Sequence, residues 1–310
     1  MDTHTLQAFV CVAQTGSFSQ AASQLFLTQS AISKRISLLE AQLDTRLFDR
    51  IGRHISLTET GRALLPRANR VLLELDDARR MIGNLSGEVQ GPLSLAASHH
   101  ISLHRLPPIL KAYRQRYPTV TLELKFDESE RAFEGILKGD LELALITLSP
   151  NPHTNIRSET IWQDPLHYVV AKEHPLATKT QLSLQELTHY SAILPGSSTF
   201  TRQLVTEQFE QRNLALHVGM STNYLDTIRM MVSIGLGWSL LPQSLIDEDL
   251  KVLDLGSAPI VRQLGYIYHR DRTLSNAAHR FVEMLRELGE NATEEASGGP
   301  VLYSGSIIAS

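Results

Sequence analysis

The chain reads as two unlike parts: an all-α winged helix-turn-helix unit with a linker helix, then a larger two-lobed α/β unit. Three observations predict this division. The first 60 residues fall into short amphipathic helices separated by turns, the next stretch carries one long heptad-like stripe, and from Leu93 onward strand and helix patterns alternate. With 310 residues, 42% hydrophobic and 20% charged, the chain has room for two or three domains, which excludes disorder as a description of the whole. The expected boundaries are 1–58 for the winged unit, 59–90 for linker helix and hinge, 91–290 for the α/β unit, and 291–310 for a flexible tail. Within the α/β unit, lobe 1 spans about 91–162 and 268–290, and lobe 2 about 163–267.

In the winged unit, Leu6, Phe9, Val10 and Ala13 form one helix face that stops at Thr15-Gly16. Ser17 and Ser19 can each cap a short second helix with Ala21, Ala22 and Leu25 inside. Thr28 caps a third, whose Ile32, Ile36, Leu39 and Leu43 make a buried stripe. The opposite face of that helix carries Ser30, Ser33, Lys34 and Ser37, with Gln29 at its N-terminal end and no acid before Glu40. Small hydroxyls approach phosphates closely, while Lys and Gln reach base edges or phosphate oxygens. The alternative is an ordinary solvated face. Leu47–Arg50 and Ile55–Leu57 then read as two strands around Ile51-Gly52-Arg53-His54, a hairpin tip bearing basic side chains. A helix-turn-helix followed directly by such a wing holds its recognition helix in the major groove.

The net charge of −4 by itself speaks against a nucleic-acid binder, but it is uneven: residues 1–67 carry +2 and the remainder −6. Thr58 or Thr60 caps the long helix, where Leu64, Ala68, Val71, Leu75, Ala78, Ile82 and Leu85 alternate in steps of four and three. So narrow a stripe packs on another helix, either its copy in a second chain or its own domain. Pro66 bends this helix or marks its first turn, and Gly83, Gly87, Gly91 and Pro92 end it in a hinge.

The α/β unit starts as strand Leu93–Ala97, helix Leu103–Arg116, strand Val120–Phe126, helix Ser129–Lys138 and strand Leu141–Ile146, a series expected to form a mostly parallel sheet. Strands His167–Ala171 and Ser191–Leu194, helix Phe200–Arg212, strand Leu216–Met220, helix Leu225–Ile234 and strand Trp238–Leu241 follow. Strand Gln263–His269 and helix Asn276–Leu288 close the unit. Two lobes with a cleft suit a small-molecule receptor. Ligands of such sheets sit beyond the strand ends, which directs attention to Ser98-His99-His100, Thr147, Ser149 and Pro195-Gly196-Ser197-Ser198-Thr199. Each hydroxyl has a plain alternative as a helix cap. His100 and His104 at i, i+4 lack an acidic or Cys partner at metal-ligand spacing, so a histidine facing an anion, or titrating near neutrality, is preferred to a metal site. Cys11 is the only cysteine and reads as core, which excludes an intrachain disulfide framework. No secretory signal or spanning segment is read at the N-terminus, so a cytoplasmic protein is expected.

The sequence resembles the LysR-type transcriptional regulators. The resemblance is carried by Leu6-Gln7-Ala8-Phe9, Gly16–Ala22, Leu27-Thr28-Gln29-Ser30-Ala31-Ile32-Ser33, Leu38-Leu39-Glu40, Leu47-Phe48-Asp49-Arg50 and Leu57-Thr58-Glu59-Thr60-Gly61. It implies a winged helix-turn-helix, a dimerising linker helix and a periplasmic-binding-protein-like (type II) effector domain, commonly in a homotetramer. The implied partners are double-stranded operator DNA, a small-molecule effector and RNA polymerase, with no membrane and no cofactor. The candidate DNA-contacting residues are Gln29, Ser30, Ser33, Lys34, Arg35, Arg50 and Arg53. The candidate effector-binding residues are Ser98, His99, His100, Thr147, Ser197, Ser198 and Thr199, whose chemistry favours a small anion or carboxylate. Ser30 stands where the family often has Pro, and Lys34-Arg35 where Arg-Gln is common. Lys34 lacks the bidentate fork of Arg, which loosens base preference at that contact. The alternative to a regulator is a cytoplasmic solute-binding protein; an enzyme is the weakest reading, because no nucleophile, base and orienter stand together at recognisable spacing.

Overall fold

The computed structural model describes residues 1–51, 54–256 and 258–295, without the side chains of 50, 51, 54 and 290–295. The chain divides into two compact units, 1–86 and the residues from Gly87 onward.

In the first unit, α1 (Thr3–Thr15) is capped by Asp2, whose side chain accepts the Thr5 N–H, and it ends at Gly16 with φ +63°. Ser17 is the cap of α2 (Phe18–Gln24), and Thr28 that of α3 (Gln29–Leu43). Phe9, Ala21, Ile32, Ile36 and Leu39 share one core with Leu47 and Phe48, each large aliphatic side chain contributing about 1.5–3 kcal/mol by burial. Leu43 departs from the sequence expectation. It lies in the last turn of α3, where the helix has run past the core, and is 39% exposed. The wing is an antiparallel pair, β1 (Phe48–Ile51) and β2 (His54–Leu57). Glu40 of α3 accepts the Leu47 N–H at 2.8 Å, tying the wing to the helix end. Helix α4 (Glu59–Asn84) is capped by Thr58, with Pro66 inside it. Gly61 is required where it stands, because a Cβ there would meet the Leu47 carbonyl oxygen at 2.2 Å. The α4 stripe divides: Leu64 and Ala68 pack on the unit's own core, whereas Val71, Leu75, Ile82 and Leu85 are exposed.

In the second unit, β3 (Gly91–Ala97) leads through α5 (His99–His104) and α6 (Leu106–Arg116) to β4 (Val120–Phe126), then through α7 (Ser129–Lys138) to β5 (Leu143–Thr147). β3 lies between β4 and β5, parallel to both. Where the sequence pattern suggested one helix from Leu103, two helices meet at Arg105, because Pro107-Pro108 fits only a first helical turn. The chain then leaves lobe 1 along the 16-residue β6 (Ile156–Ala171). Lobe 2 contains α8 (Leu184–Leu187), β7 (Ala192–Leu194), α9 (Phe200–Glu210), β8 (Val218–Ser221), α10 (Leu225–Ser233), β9 (Ser239–Pro242) and β10 (Leu250–Val252). The chain returns along β11 (Ile260–His269) and closes lobe 1 with α11 (Asn276–Glu295). The sheet is mixed rather than mostly parallel, since β11 runs antiparallel to both β5 and β6, and β9 and β10 run antiparallel to β6. An outgoing and a returning strand side by side must oppose one another.

The two lobes have separate cores. Leu95, Tyr113, Leu145, Trp162 and Phe281 fill the first, and Tyr168, Val205, Phe209 and Trp238 the second. Leu264 and Tyr266 pack into lobe 1 and Ile260 into lobe 2, so the return crossing falls near Arg262 and Gln263, earlier than the 267/268 boundary read from sequence. Helix α11 continues past 290, and residues 296–310 of the expected tail lie outside the described residues.

Candidate DNA-reading face and effector cleft

The N-terminal end of α3 is ordered by hydroxyls. Thr28 accepts the Ala31 N–H at 3.2 Å and lies 3.0 Å from the Ser30 hydroxyl. Ser19 donates to Gln29 Oε1 at 3.1 Å, which fixes the amide and leaves its NH2 group as a free donor. Gln29, Ser30 and Lys34 are exposed, with Ser33 and Arg35 half-buried beside them. Lys34 makes no ion pair among the described residues. The first acid of this helix, Glu40, is turned to the wing's backbone, so it does not weaken the positive face. Arg50 lies on β1, and Arg53 lies outside the described residues.

The second site is a cavity of about 440 Å³ between the lobes, at the ends of β3, β4 and β5. Backbone bonds gather these ends: Ser98 N–H donates to Leu145 O at 2.9 Å, Asp127 N–H to Ala97 O at 3.2 Å, and Thr147 N–H to the Ser129 hydroxyl at 3.1 Å. Ser98, His99, His100, Thr147 and Thr199 line it, but Ser197 and Ser198 do not; they sit on the turn before α9. Thr199 also works as a cap, accepting the Arg202 N–H and donating to Gly196 O.

Further residues that sequence reading passed over shape the cleft. Glu130 of α7 reaches across to accept the N–H of Phe200, first residue of α9, at 2.6 Å. Glu128 Oε1 accepts from Asn223 at 2.7 Å, and Asn223 in turn accepts the Gly196 N–H at 2.8 Å. Two lobe-1 carboxylates thus latch onto lobe-2 donors. In the sequence they look like ordinary acids at a helix start. At the strand crossing, Arg262 of β11 and Asp164 of β6 are register partners, 3% and 2% exposed, joined through Nη2 and by a 2.9 Å bond from Nε. Arg105 adds a second guanidinium 3.8 Å from Asp164.

His100 lies beside this cluster, its Nε2 4.0 Å from Asp164 and both ring nitrogens without a hydrogen-bond partner among the described residues. Burial, reinforced by Arg262, His104 and Arg105, pushes its pKa down to about 2, so it is neutral. Glu130 moves the other way. Burial raises its pKa against the opposing pull of the Phe200 N–H, and the charge on Glu128 raises it further. The sequence expectation of an anionic ligand rested on hydroxyls and helix starts. The cavity wall adds Asp127, Glu128 and Glu130, so both signs of charge are present.

Comparison with known proteins decides what this pair of sites belongs to. Residues 3–62 match the model of the bacterial regulatory helix-turn-helix protein, lysR family, and residues 86–290 match the LysR substrate binding domain. The chain belongs to the LysR family of transcriptional regulators. It is 31% identical over 287 residues to the HTH-type transcriptional activator CmpR of Synechocystis sp., covering 91% of this chain and 94% of that one. It is 63% identical over 108 residues to an uncharacterized HTH-type regulator of Azotobacter vinelandii, covering 35% and 75%. Among solved structures, a full-length OxyR variant of Pseudomonas aeruginosa superposes with TM-score 0.69 at 23% identity, covering 94% and 95%. CbnR complexed with its target DNA gives 0.60 at 23%, covering 93% and 99%. As a LysR-type regulator the chain binds DNA through its first unit and carries a substrate-binding domain in its second. No helix of the described residues is long and apolar enough to cross a membrane.

Proposed function

We propose that this LysR-type regulator senses a small metabolite in the interlobe cavity, and that occupancy changes the spacing of its DNA-binding units within a homo-oligomer. The carrying observation is the cavity itself, where Ser98 and Thr147, 8% and 6% exposed, stand on the wall of a space large enough for a metabolite. The effector domain of QuiR, solved with shikimate, matches with TM-score 0.59 at 20% identity over 65% of this chain and 98% of that one, and supports reading the second unit as a ligand receptor. The α3 face supplies the reading surface, with Gln29, Ser30, Ser33 and Lys34 toward base edges and phosphates and Arg35, Arg50 and Arg53 on the flanking backbone. Chains pair through the exposed half of α4, and pairs of dimers make a tetramer. The coupling is a population shift between assemblies. It acts in the cytoplasm, without catalysis of its own and without a cofactor.

A gel-shift experiment with a promoter fragment tests the reading surface. Ser33→Ala with Lys34→Ala is expected to abolish specific binding, with the oligomer intact. Unchanged affinity would overturn the assignment of the recognition face. Thr147→Trp, which fills the cavity, is expected to remove effector response while DNA binding stays.

A further inference from the structure

We propose that the ligand of the interlobe cavity is a zwitterion, in the simplest case an amino acid, with its ammonium group between Glu128 and Glu130 and its carboxylate toward Ser98, Thr147 and Arg262. This rests on the effector-cleft reading and names the class of its ligand.

The carboxylate pair is the part that a simple anion cannot use. Glu128 and Glu130 each commit only Oε1 to the interlobe latch, and among the described residues no side-chain cation lies within ion-pair reach of either. The neighbouring acid, Asp127, is already answered by Lys125 at 3.3 Å and Arg131 at 3.9 Å. Both carboxylates stand on the cavity wall, and burial together with the charge on Glu128 raises the pKa of Glu130, so a cation placed between them is favoured. Phe126 and Tyr224, 57% and 56% exposed, also line the cavity, and aromatic rings attract the same group.

The other end has the opposite character. Asp164 faces two guanidiniums, Arg262 and Arg105, so positive charge is in excess there. Arg262 binds Asp164 through Nε and Nη2, which leaves Nη1 without a hydrogen bond among the described residues. The hydroxyls of Ser98 and Thr147 belong to residues more than nine-tenths buried and likewise make no hydrogen bond among the described residues, although Ser98 sits at the cap of α5. These donors suit a carboxylate. His100, held neutral, shifts the balance in neither direction. A pure anion would press on Glu128 and Glu130, and a pure amine on Arg262. One molecule with both charges satisfies both ends.

The test is titration calorimetry on the full chain with the proteinogenic L-amino acids, each paired with the 2-hydroxy acid of the same carbon skeleton, which keeps the carboxylate and loses the ammonium. At least one amino acid is expected to bind about tenfold or more tighter than its hydroxy acid. Glu128→Gln with Glu130→Gln, which keeps an acceptor oxygen for each latch, is expected to erase that preference while tryptophan-monitored unfolding shows the unit still folded. Hydroxy acids binding as tightly as the amino acids would overturn the ammonium site and leave the cleft reading standing. No binding by any amino acid would overturn the proposal. Binding that survives in Thr147→Trp would overturn the cleft reading itself.

Discussion

His100 gives the α/β unit an acid sensitivity that can be calculated. Its imidazole titrates near pH 6.5 when the chain is unfolded but only at about 2 in the folded state, because burial and the Arg262 charge oppose protonation. Above pH 6.5 both states are neutral there and stability is fully present. As pH falls below 6.5 the unfolded chain binds a proton that the native chain refuses, and stability drops by about 1.4 kcal/mol per pH unit. Between pH 7.5 and pH 5.0 the loss from this residue alone is about 2 kcal/mol. His174 and His269 are also held down by burial and add loss of the same sign, so the informative quantity is the difference between wild type and His100→Gln. Urea unfolding followed by tryptophan fluorescence is the assay. Trp162 and Trp238, the chain's only two tryptophans, lie buried in this unit and leave the DNA-binding unit silent. The variant should lose about 2 kcal/mol less than wild type over that pH range. Equal pH dependence in the two proteins would refute the assignment of a neutral, unpaired His100.

Other predictions concern the DNA-binding unit and linker helix. Gly61→Ala drives a methyl into the Leu47 carbonyl and should destabilise that unit by ~2–3 kcal/mol and weaken DNA binding, with tryptophan-monitored unfolding unchanged. Phe26 holds φ +53° in the turn between α2 and α3 and is 96% exposed, so Phe26→Asn relieves backbone strain without losing burial. The DNA-binding unit should gain about 1 kcal/mol in a far-UV circular dichroism melt; a loss would show that the ring makes a stabilising contact. Val71→Asp with Ile82→Asp puts charge on the exposed α4 stripe, 42% and 67% exposed, and should reduce the oligomer to monomer in sedimentation. An unchanged mass would place the subunit contact elsewhere.

What the sequence disclosed depended on which force fixed each element. Helices α1 to α3 were legible because Leu6, Phe9, Ile32, Ile36 and Leu39 recur on one face and because Ser17 and Thr28 are good caps, so periodicity and local chemistry agreed. The first half of β6 was not, since Arg157, Ser158 and Glu159 look like loop residues; they form a strand because β11 pairs with them. The break at Arg105 was written in Pro107-Pro108 and passed over. At the cleft, Ser98, Thr147 and Thr199 could be found from strand ends. Glu130, Asn223 and Arg262 could not, because their partners Phe200, Glu128 and Asp164 lie 70, 95 and 98 residues away. The whole-chain charge was the least informative quantity, averaging a basic DNA-binding unit with an acidic substrate-binding domain.

The proposed function depends on the reading of DNA sequence by the exposed, acid-free face of α3. Selection of double-stranded DNA from a randomised pool by the full chain, run beside Ser33→Ala with Lys34→Ala, tests it most directly. The wild-type chain should enrich a paired, two-fold symmetric motif, and the variant should enrich none while keeping its oligomeric mass. Recovery of the same motif by both proteins would contradict the account.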